Sequence, residues 1–376
     1  MISIKKDLFT ILNRLKDNGF EAYLVGGAVR NYLLNKTIKD YDITTNAHPE
    51  TVMMLFNDYK VYDIGRKLGT VAVVINHTTY EITPFRLEGE YKDHRHPDTI
   101  KFSDNLKDDL QRRDFTINAL CLGSNLDIID YFNGVQDLNN KIIKAIGNPN
   151  TRFNEDALRI LRALRFKTKL NFTIEDKTNK ALFKNKDLLN YISIERKKDE
   201  LLQILSSRNA FNTINEYLDI FNTFIPLSKS KRKINDFNNP YYALAYLLKD
   251  NESYNLKQLK LSNHEIDLVN LLIQSTKINI NNDYEFITIL SNRYQKDVLR
   301  FLEKYHHKNL KERYKKLHQY MIEINDLDIT GQEIDKYNFK DKKISDIKQE
   351  LLDLIHHKKL KNNNALLHKH IKKNIL

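Results

Sequence analysis

The pattern of apolar and polar positions divides the chain into two regimes. Up to about residue 150 short apolar runs alternate with helical stretches. Ala22–Val25 predicts a buried strand closed by Gly26-Gly27, and Ala28–Leu34 predicts a helix. Tyr41–Thr45 predicts a second strand. Pro49–Asn57 predicts a helix with proline at an early position, where its missing N–H costs nothing. The β-branched runs Gly69–Asn76 and Thr79–Phe85 predict a hairpin. The charged stretch Glu88–Thr99 predicts a long loop. From residue 151 the period changes. DALRILRALRF and ERKKDELLQIL place apolar residues three and four apart, as one buried helix face requires. YYALAYLL, IDLVNLLI and ISDIKQELLDLI continue the helical reading. The basic, Asn-rich stretch from about residue 360 is expected to fray.

Composition sharpens this picture. The chain has 376 residues, 41% of them hydrophobic, so it can build two or more cores. Ten glycines and six prolines favour helix. Cys121 is the lone cysteine, which excludes an intramolecular disulfide and a cysteine-based zinc cluster. No stretch approaches a membrane span, and the N-terminal helix lacks the apolar core of a signal peptide. A cytoplasmic location is expected. Net charge is +12, yet residues 1–150 carry 19 basic and 20 acidic side chains. The excess lies beyond them, with 18 basic against 11 acidic from residue 300. Such a balance attracts a polyanion, although general solubility explains it equally well.

Two constellations can carry chemistry. Gly26-Gly27 between a strand and a helix lets backbone approach a ligand closely, and the helix start offers free N–H groups to phosphate. Arg30 adds an always-charged donor fork. Alone, the Gly-Gly pair is better explained by a plain tight turn. Asp40 and Asp42 stand two residues apart at a strand start, so both carboxylates face one side. Such an edge suits Mg²⁺ with substrate phosphates, or a solvated turn. Glu81 lies on one face of the following hairpin and is a candidate third carboxylate.

The segment LVGGAVRNYLLNKTIKDYDITT (residues 24–45) resembles the catalytic motif of class II tRNA nucleotidyltransferases and bacterial poly(A) polymerases, in the polymerase β superfamily. Asp109–Leu120 (DLQRRDFTINAL) is similar to the family's ribose-selecting motif, and Phe132–Leu138 (FNGVQDL) to its head-to-neck hinge. Phe153–Phe166 (FNEDALRILRALRF) resembles its nucleotide-selecting helix, and Ile192–Leu205 (ISIERKKDELLQIL) the neck motif bracing that helix. Five motifs in order are far more specific than any one. The segment Glu88–Pro97 resembles the flexible loop of CCA-adding members, which favours full CCA addition, although a plain linker reads the same way.

The resemblance implies an α+β nucleotidyltransferase head with a mixed sheet (1–150), then an all-α neck (151–210), body (211–310) and tRNA-binding tail (311–376). It implies metal-binding catalytic residues Asp40 and Asp42, with Mg²⁺ as cofactor. Gly27, Arg30, Arg113, Asp156, Arg159, Arg162 and Arg165 are implied to contact the nucleotide, and Asp114 and Asn118 to favour ribose. The step of three from Asp156 to Arg159 predicts neighbours on one helix, which an ordinary surface ion pair would equally give. Asp only accepts and Arg only donates. Cytosine and adenine offer an amino donor and a ring acceptor along the pairing edge. Uracil and guanine set a carbonyl against the carboxylate and are repelled. The implied activity is addition of C, C and A to a tRNA 3′ end from CTP and ATP. Rival readings are a CC- or A-adding enzyme, a poly(A) polymerase, and a catalytically silent RNA-binding protein. The oligomeric state is open, a homodimer being one alternative. Two departures stand out. Asn31 replaces the aspartate that often follows the motif's arginine, and Asp335–Tyr337 stands where relatives carry Gly-Pro-Gly.

Overall fold

The computed structural model describes residues 4–65, 69–89, 98–232, 234–339 and 343–375. The chain forms two compact units, Met1–Ile225 and Pro226–Leu376.

In the first unit, α1 (Lys6–Asp17) buries Leu8, Ile11, Leu12 and Leu15 on one face. Then follow β1 (Ala22–Val25), α2 (Gly27–Leu33), β2 (Tyr41–Thr45), α3 (Pro49–Leu55), β3 (Lys60–Gly65), β4 (Thr70–Ile75) and β5 (Thr78–Pro84). After them come β6 (Arg86–Glu88), β7 (Ile100–Phe102), α4 (Leu106–Gln111), a 3₁₀ turn Thr116–Asn118, β8 (Cys121–Leu122) and β9 (Ile128–Ile129). Among the described residues one seven-stranded sheet runs β3-β4-β5-β2-β1-β8-β9. Its pairs are antiparallel except β2 with β5, so the sheet is mixed. Period-two alternation explains β2: Tyr41 and Ile43 are buried while Asp42 is exposed.

The strand β3 carries no such alternation. It is a mostly exposed edge strand, which is why the hydrophobic pattern does not announce it. The expected loop over Glu88–Thr99 is entered and left through an antiparallel pair, β6 with β7. Residues 90–97, the heart of that loop, lie outside the described residues.

Next come α5 (Gly134–Asn139), β10 (Ile142–Ile143), α6 (Pro149–Glu155), α7 (Leu158–Leu170), β11 (Thr173–Ile174), α8 (Asp176–Lys184), α9 (Ile194–Leu205), α10 (Ala210–Glu216) and α11 (Leu218–Phe221). The short parallel pair β10 with β11 shows that strand structure persists past residue 151. Helices α7 and α9 pack together, burying Ile160, Leu161 and Leu164 of one and Leu201, Ile204 and Leu205 of the other. An α+β head with a mixed sheet thus leads into helices.

The second unit is helical: α12 (Pro240–Leu248), α13 (Asn263–Ser275), α14 (Asp283–Leu290), α15 (Gln295–His306), α16 (Lys311–Leu317), α17 (Gly331–Asp335), α18 (Ile344–His356) and α19 (Asn364–Asn374). Helix α12 is buried continuously from Tyr242 to Leu248. Near the C-terminus Leu327, Ile329, Ile334, Ile347, Leu351, Ile355, Leu367 and Ile371 form a core of their own. The stretch expected to fray is instead the helix α19. Asn363 caps its start through the Leu366 N–H, and Leu367 and Ile371 anchor it.

Candidate active site

A cleft of about 780 Å³ opens in the first unit. It gathers Gly27, Arg30, Asp40, Asp42, Arg113, Asp156, Arg159, Arg162 and Arg165, every residue expected to bind nucleotide or metal. Eight arginines line it against five carboxylates, so the cleft is a trap for anions.

One wall is the edge of the sheet. Gly26, at φ 72° and ψ −129°, turns the chain from β1 into α2. Arg30 follows one turn later, its Nη1 donating to Asn118 Oδ1 at 2.5 Å and its Nη2 to Asn31 Oδ1 at 3.1 Å. Burial, with Arg165 and Arg162 nearby and only partly offset by Asp114, lowers its pKa to about 10. Asp40 and Asp42 project from the start of β2 into the same cleft. Desolvation raises the Asp42 carboxyl above the ordinary range; Arg113 opposes this and Asp40 adds to it.

Glu81 stands opposite Asp42 in the β2–β5 register. Desolvation, then the charges of Asp42 and Asp40, raise its pKa. It lines a separate cleft of about 330 Å³ that Asp40 and Asp42 also border. The aspartate pair is thus accessible from two sides. Among the described residues no group of three or more His, Cys, Asp or Glu side chains already stands as a closed metal cage, and Glu81 stays a candidate third carboxylate beside the pair. The two aspartates remain an open carboxylate edge of the hard-oxygen type that suits a cation sharing its ligands with phosphates.

The opposite wall is built on buried carboxylates. Asp109, fully buried in α4, accepts from Arg112 Nε (3.0 Å) and Nη2 (2.6 Å) and from Arg113 Nη2 (3.0 Å). Burial pushes its pKa up, but Arg113 and Arg112 outweigh that and hold it low. Asp114 is buried too. Its Oδ1 accepts from the Phe115 N–H (2.8 Å) and Asn118 Nδ2 (3.0 Å). Burial opposes its charge, but Arg162 and the Asn118 hydrogen bond bring the pKa down to about 2. Arg165 Nε donates to Glu200 of α9 at 2.6 Å.

Asp156 and Arg159 both face the cleft, but not as helical neighbours. Asp156 is extended (φ −133°, ψ 101°) and separates α6 from α7. Its carboxylate accepts the Leu158 N–H at 3.1 Å, a local side chain–backbone bond that competes with continuous helix. Arg196 of α9 pairs with it at 3.4 Å. Arg159 donates elsewhere, to Glu155 (2.8 Å) and to the carbonyls of Arg152 (3.2 Å) and Arg112 (2.8 Å).

Arg86, Arg196 and Phe166 also line the cleft, and the motif reading gave them no role. Arg196 and Phe166 lie inside quoted motifs and could have been found there. Arg86 sits just past the hairpin, where nothing in the pattern marks it. Among the described residues, buried cleft donors without an acceptor include Arg30 Nε, Arg86 Nη1, Arg113 Nε and Arg196 Nη1. Each costs about 1–3 kcal/mol unless an acceptor arrives. A bound polyanion supplies several at once.

Residues 22–144 match the poly A polymerase head domain, and residues 171–226 match a domain described as "Probable RNA and SrmB- binding site of polymerase A". The CCA-adding enzyme of Staphylococcus haemolyticus is 43% identical over 266 residues, 69% of this chain and 66% of that protein. That of Staphylococcus saprophyticus is 38% identical over 273 residues, 70% of this chain and 67% of that protein. The chain belongs to the CCA-adding enzyme family. Its alignments span from about half to about two thirds of the length of such relatives. Within this family, a crystal structure of the Bacillus stearothermophilus CCA-adding enzyme in complex with CTP matches with a TM-score of 0.76 and 27% identity, covering 99% of each chain. No helix among the described residues is long and apolar enough to cross a membrane.

Proposed function

We propose that this chain adds C, C and A to the 3′ end of tRNA from CTP and ATP, without a nucleic-acid template, releasing pyrophosphate. The cleft carries the reading: it sets a carboxylate pair, Asp40 and Asp42, against an arginine wall with unsatisfied buried donors. The family, and the likeness to a CCA-adding enzyme in complex with CTP, support it.

Arg30, Arg113, Arg162 and Arg165 hold the triphosphate, and Gly27 admits it close to the backbone. Asp156 accepts from the amino group of C or A, and Arg159 donates to the ring acceptor. The two side chains do not pair with each other: Asp156 is held by the Leu158 N–H and Arg196, and Arg159 is fixed by Glu155 and two carbonyls, so each would meet the base from an anchored position. Asp40 and Asp42 would hold Mg²⁺, which supplies charge neutralisation for the attacking and leaving oxygens. The terminal 3′-OH attacks the α-phosphate at this carboxylate edge, and pyrophosphate leaves. Fixed arginines meet the charge of the leaving pyrophosphate, so positioning and electrostatics carry most of the rate.

We read residues 1–150 as head, 151–210 as neck, 211–310 as body and 311–376 as tail. The separate core around Leu351 and Leu367 supports a distinct tail. The basic excess from residue 300 fits tRNA phosphates, with binding that weakens as salt rises. A cytoplasmic place follows from the substrate.

The test is incorporation of labelled CTP and ATP, separately and together, with Mg²⁺, onto tRNA lacking its last three nucleotides. Growth by three residues that needs both nucleotides and then stops supports the reading. Two C residues alone, A alone on a CC end, or a long A tract would replace it with a partial enzyme or a poly(A) polymerase. No incorporation would leave an RNA-binding protein.

A further inference from the structure

Three arginines in the cleft converge on one phenyl ring. The guanidinium carbons of Arg165, Arg30 and Arg162 lie 4.5, 5.0 and 5.6 Å from the centroid of Phe166. Phe166 is 6% exposed, borders the cleft, and is itself held edge-on by Phe115 at 5.8 Å. Three cations around one ring repel each other, and something must hold them there.

Two of them have carboxylates. Arg162 pairs with Asp114 at 2.6 Å and Arg165 with Glu200 at 2.6 Å. Among the described residues Arg30 pairs with none. It has two amide oxygens, Asn118 and Asn31, and its buried Nε has no acceptor. What remains for Arg30 is the face of Phe166.

The choice of ring over carboxylate has a consequence. A carboxylate beside Arg30 would occupy its N–H groups and compete with any incoming phosphate. A ring face attracts the cation through its quadrupole and takes up none of its N–H groups, so beyond the bonds to Asn118 and Asn31 one hydrogen on each of Nη1 and Nη2 remains for an anion. We infer that Phe166 is a positioning residue: its ring holds Arg30 in the cleft, against the charges of Arg162 and Arg165, without consuming the donors that bind the substrate's polyphosphate. This rests on the proposed function for the identity of the polyphosphate, but the anion site itself does not.

The test compares Phe166→Leu and Phe166→Met, which keep apolar bulk and remove the ring, with Phe166→Tyr, which keeps it. Each variant is first checked by thermal unfolding. Binding of inorganic tripolyphosphate is then titrated by calorimetry, and KM and kcat for CTP are measured on tRNA lacking its terminus. Loss of a partly desolvated cation–π contact is worth roughly a tenfold change. Folded Leu and Met variants should bind tripolyphosphate about tenfold more weakly and show KM raised by a similar factor, with kcat within about threefold. The Tyr variant should stay near the unaltered protein. Tripolyphosphate affinity unchanged in the Leu and Met variants overturns the inference. So does equal damage in all three, which would make Phe166 a packing residue only, and so does an unaltered protein that does not bind tripolyphosphate. If the unaltered protein binds it yet extends no tRNA, the proposed function fails while the titration still decides the role of Phe166.

Discussion

Arg162 donates twice to a single oxygen of Asp114, from Nε at 2.8 Å and Nη2 at 2.6 Å, both to Oδ2. The other oxygen is thereby left for Asn118 and the Phe115 N–H. One buried carboxylate thus ties α7 to the 3₁₀ turn beneath the cleft, and through Asn118 it reaches Arg30. Asp114→Asn should weaken all three links. An uncompensated arginine near a buried amide costs about 2 kcal/mol or more, discounted because Arg162 is part-exposed. The pH dependence has a definite sign. The folded pKa of about 2 lies below the ordinary aspartate value, so the stabilisation is whole above about pH 4 and fades as acid lowers the pH toward 2. In guanidinium unfolding, Asp114→Asn should have the lower midpoint at pH 6, and the gap from the unaltered protein should narrow toward pH 2. A gap that stays constant over that range would refute the pairing.

Asp42 projects from a strand whose neighbouring side chains, Tyr41 and Ile43, hold it in place by burial. Replacing it removes a charge without removing a core contact. Asp42→Ala should abolish nucleotide addition and leave tRNA binding nearly intact, measured by incorporation and by filter binding. Retained incorporation would sink the assignment of Asp42 to the metal.

Much of this site was legible in the sequence because motifs report spacing along the chain. Gly27, Arg30, Asp40 and Asp42 sit on a strand–turn–helix unit followed by a strand, whose local geometry follows from apolar alternation and glycine. Partner choice is less legible. The step from Asp156 to Arg159 reads as one helical turn, yet Asp156 bonds the Leu158 N–H and breaks the helix. Helical periodicity is blind to that competition, since Asp is compatible with either outcome. Arg196 reaches the cleft from α9 and Glu200 of the same helix holds Arg165, and only the packing of α7 on α9 reveals it. The edge strand β3 lacked a buried face to mark it, and α19 lacked enough apolar residues to outweigh its lysines.

The separation of Asp156 from Arg159 bears on base choice. Asp156 is held by the Leu158 N–H and, more loosely, by Arg196 at 3.4 Å. Arg159 is clamped by three acceptors. Asp156→Ala removes the acceptor that rejects a base carbonyl while the arginine stays fixed. The preference for CTP over UTP should therefore fall by about tenfold or more, read as the ratio of kcat/KM values on the same tRNA. Unchanged discrimination would mean that Asp156 does not face the base.

Gly26 separates two effects that usually arrive together. Its φ of 72° with ψ −129° is open to glycine alone, and an added Cβ would stand 3.3 Å from Arg113 Nη1 and 3.7 Å from the Asn118 carbonyl oxygen. Arg113 cannot easily retreat, because Asp109 holds its Nη2 at 3.0 Å. Gly19 also has a positive φ, of 82°, but a Cβ there meets nothing within 4 Å. Both Gly→Ala substitutions should lower stability, each by about 1–3 kcal/mol of backbone strain. Only Gly26→Ala should also displace Arg113 and raise KM for CTP and ATP, whereas Gly19→Ala should leave KM unchanged. Equal effects on KM from both would show that the loss comes from strain in the head as a whole. A KM untouched in Gly26→Ala would remove Arg113 from the set that binds the nucleotide.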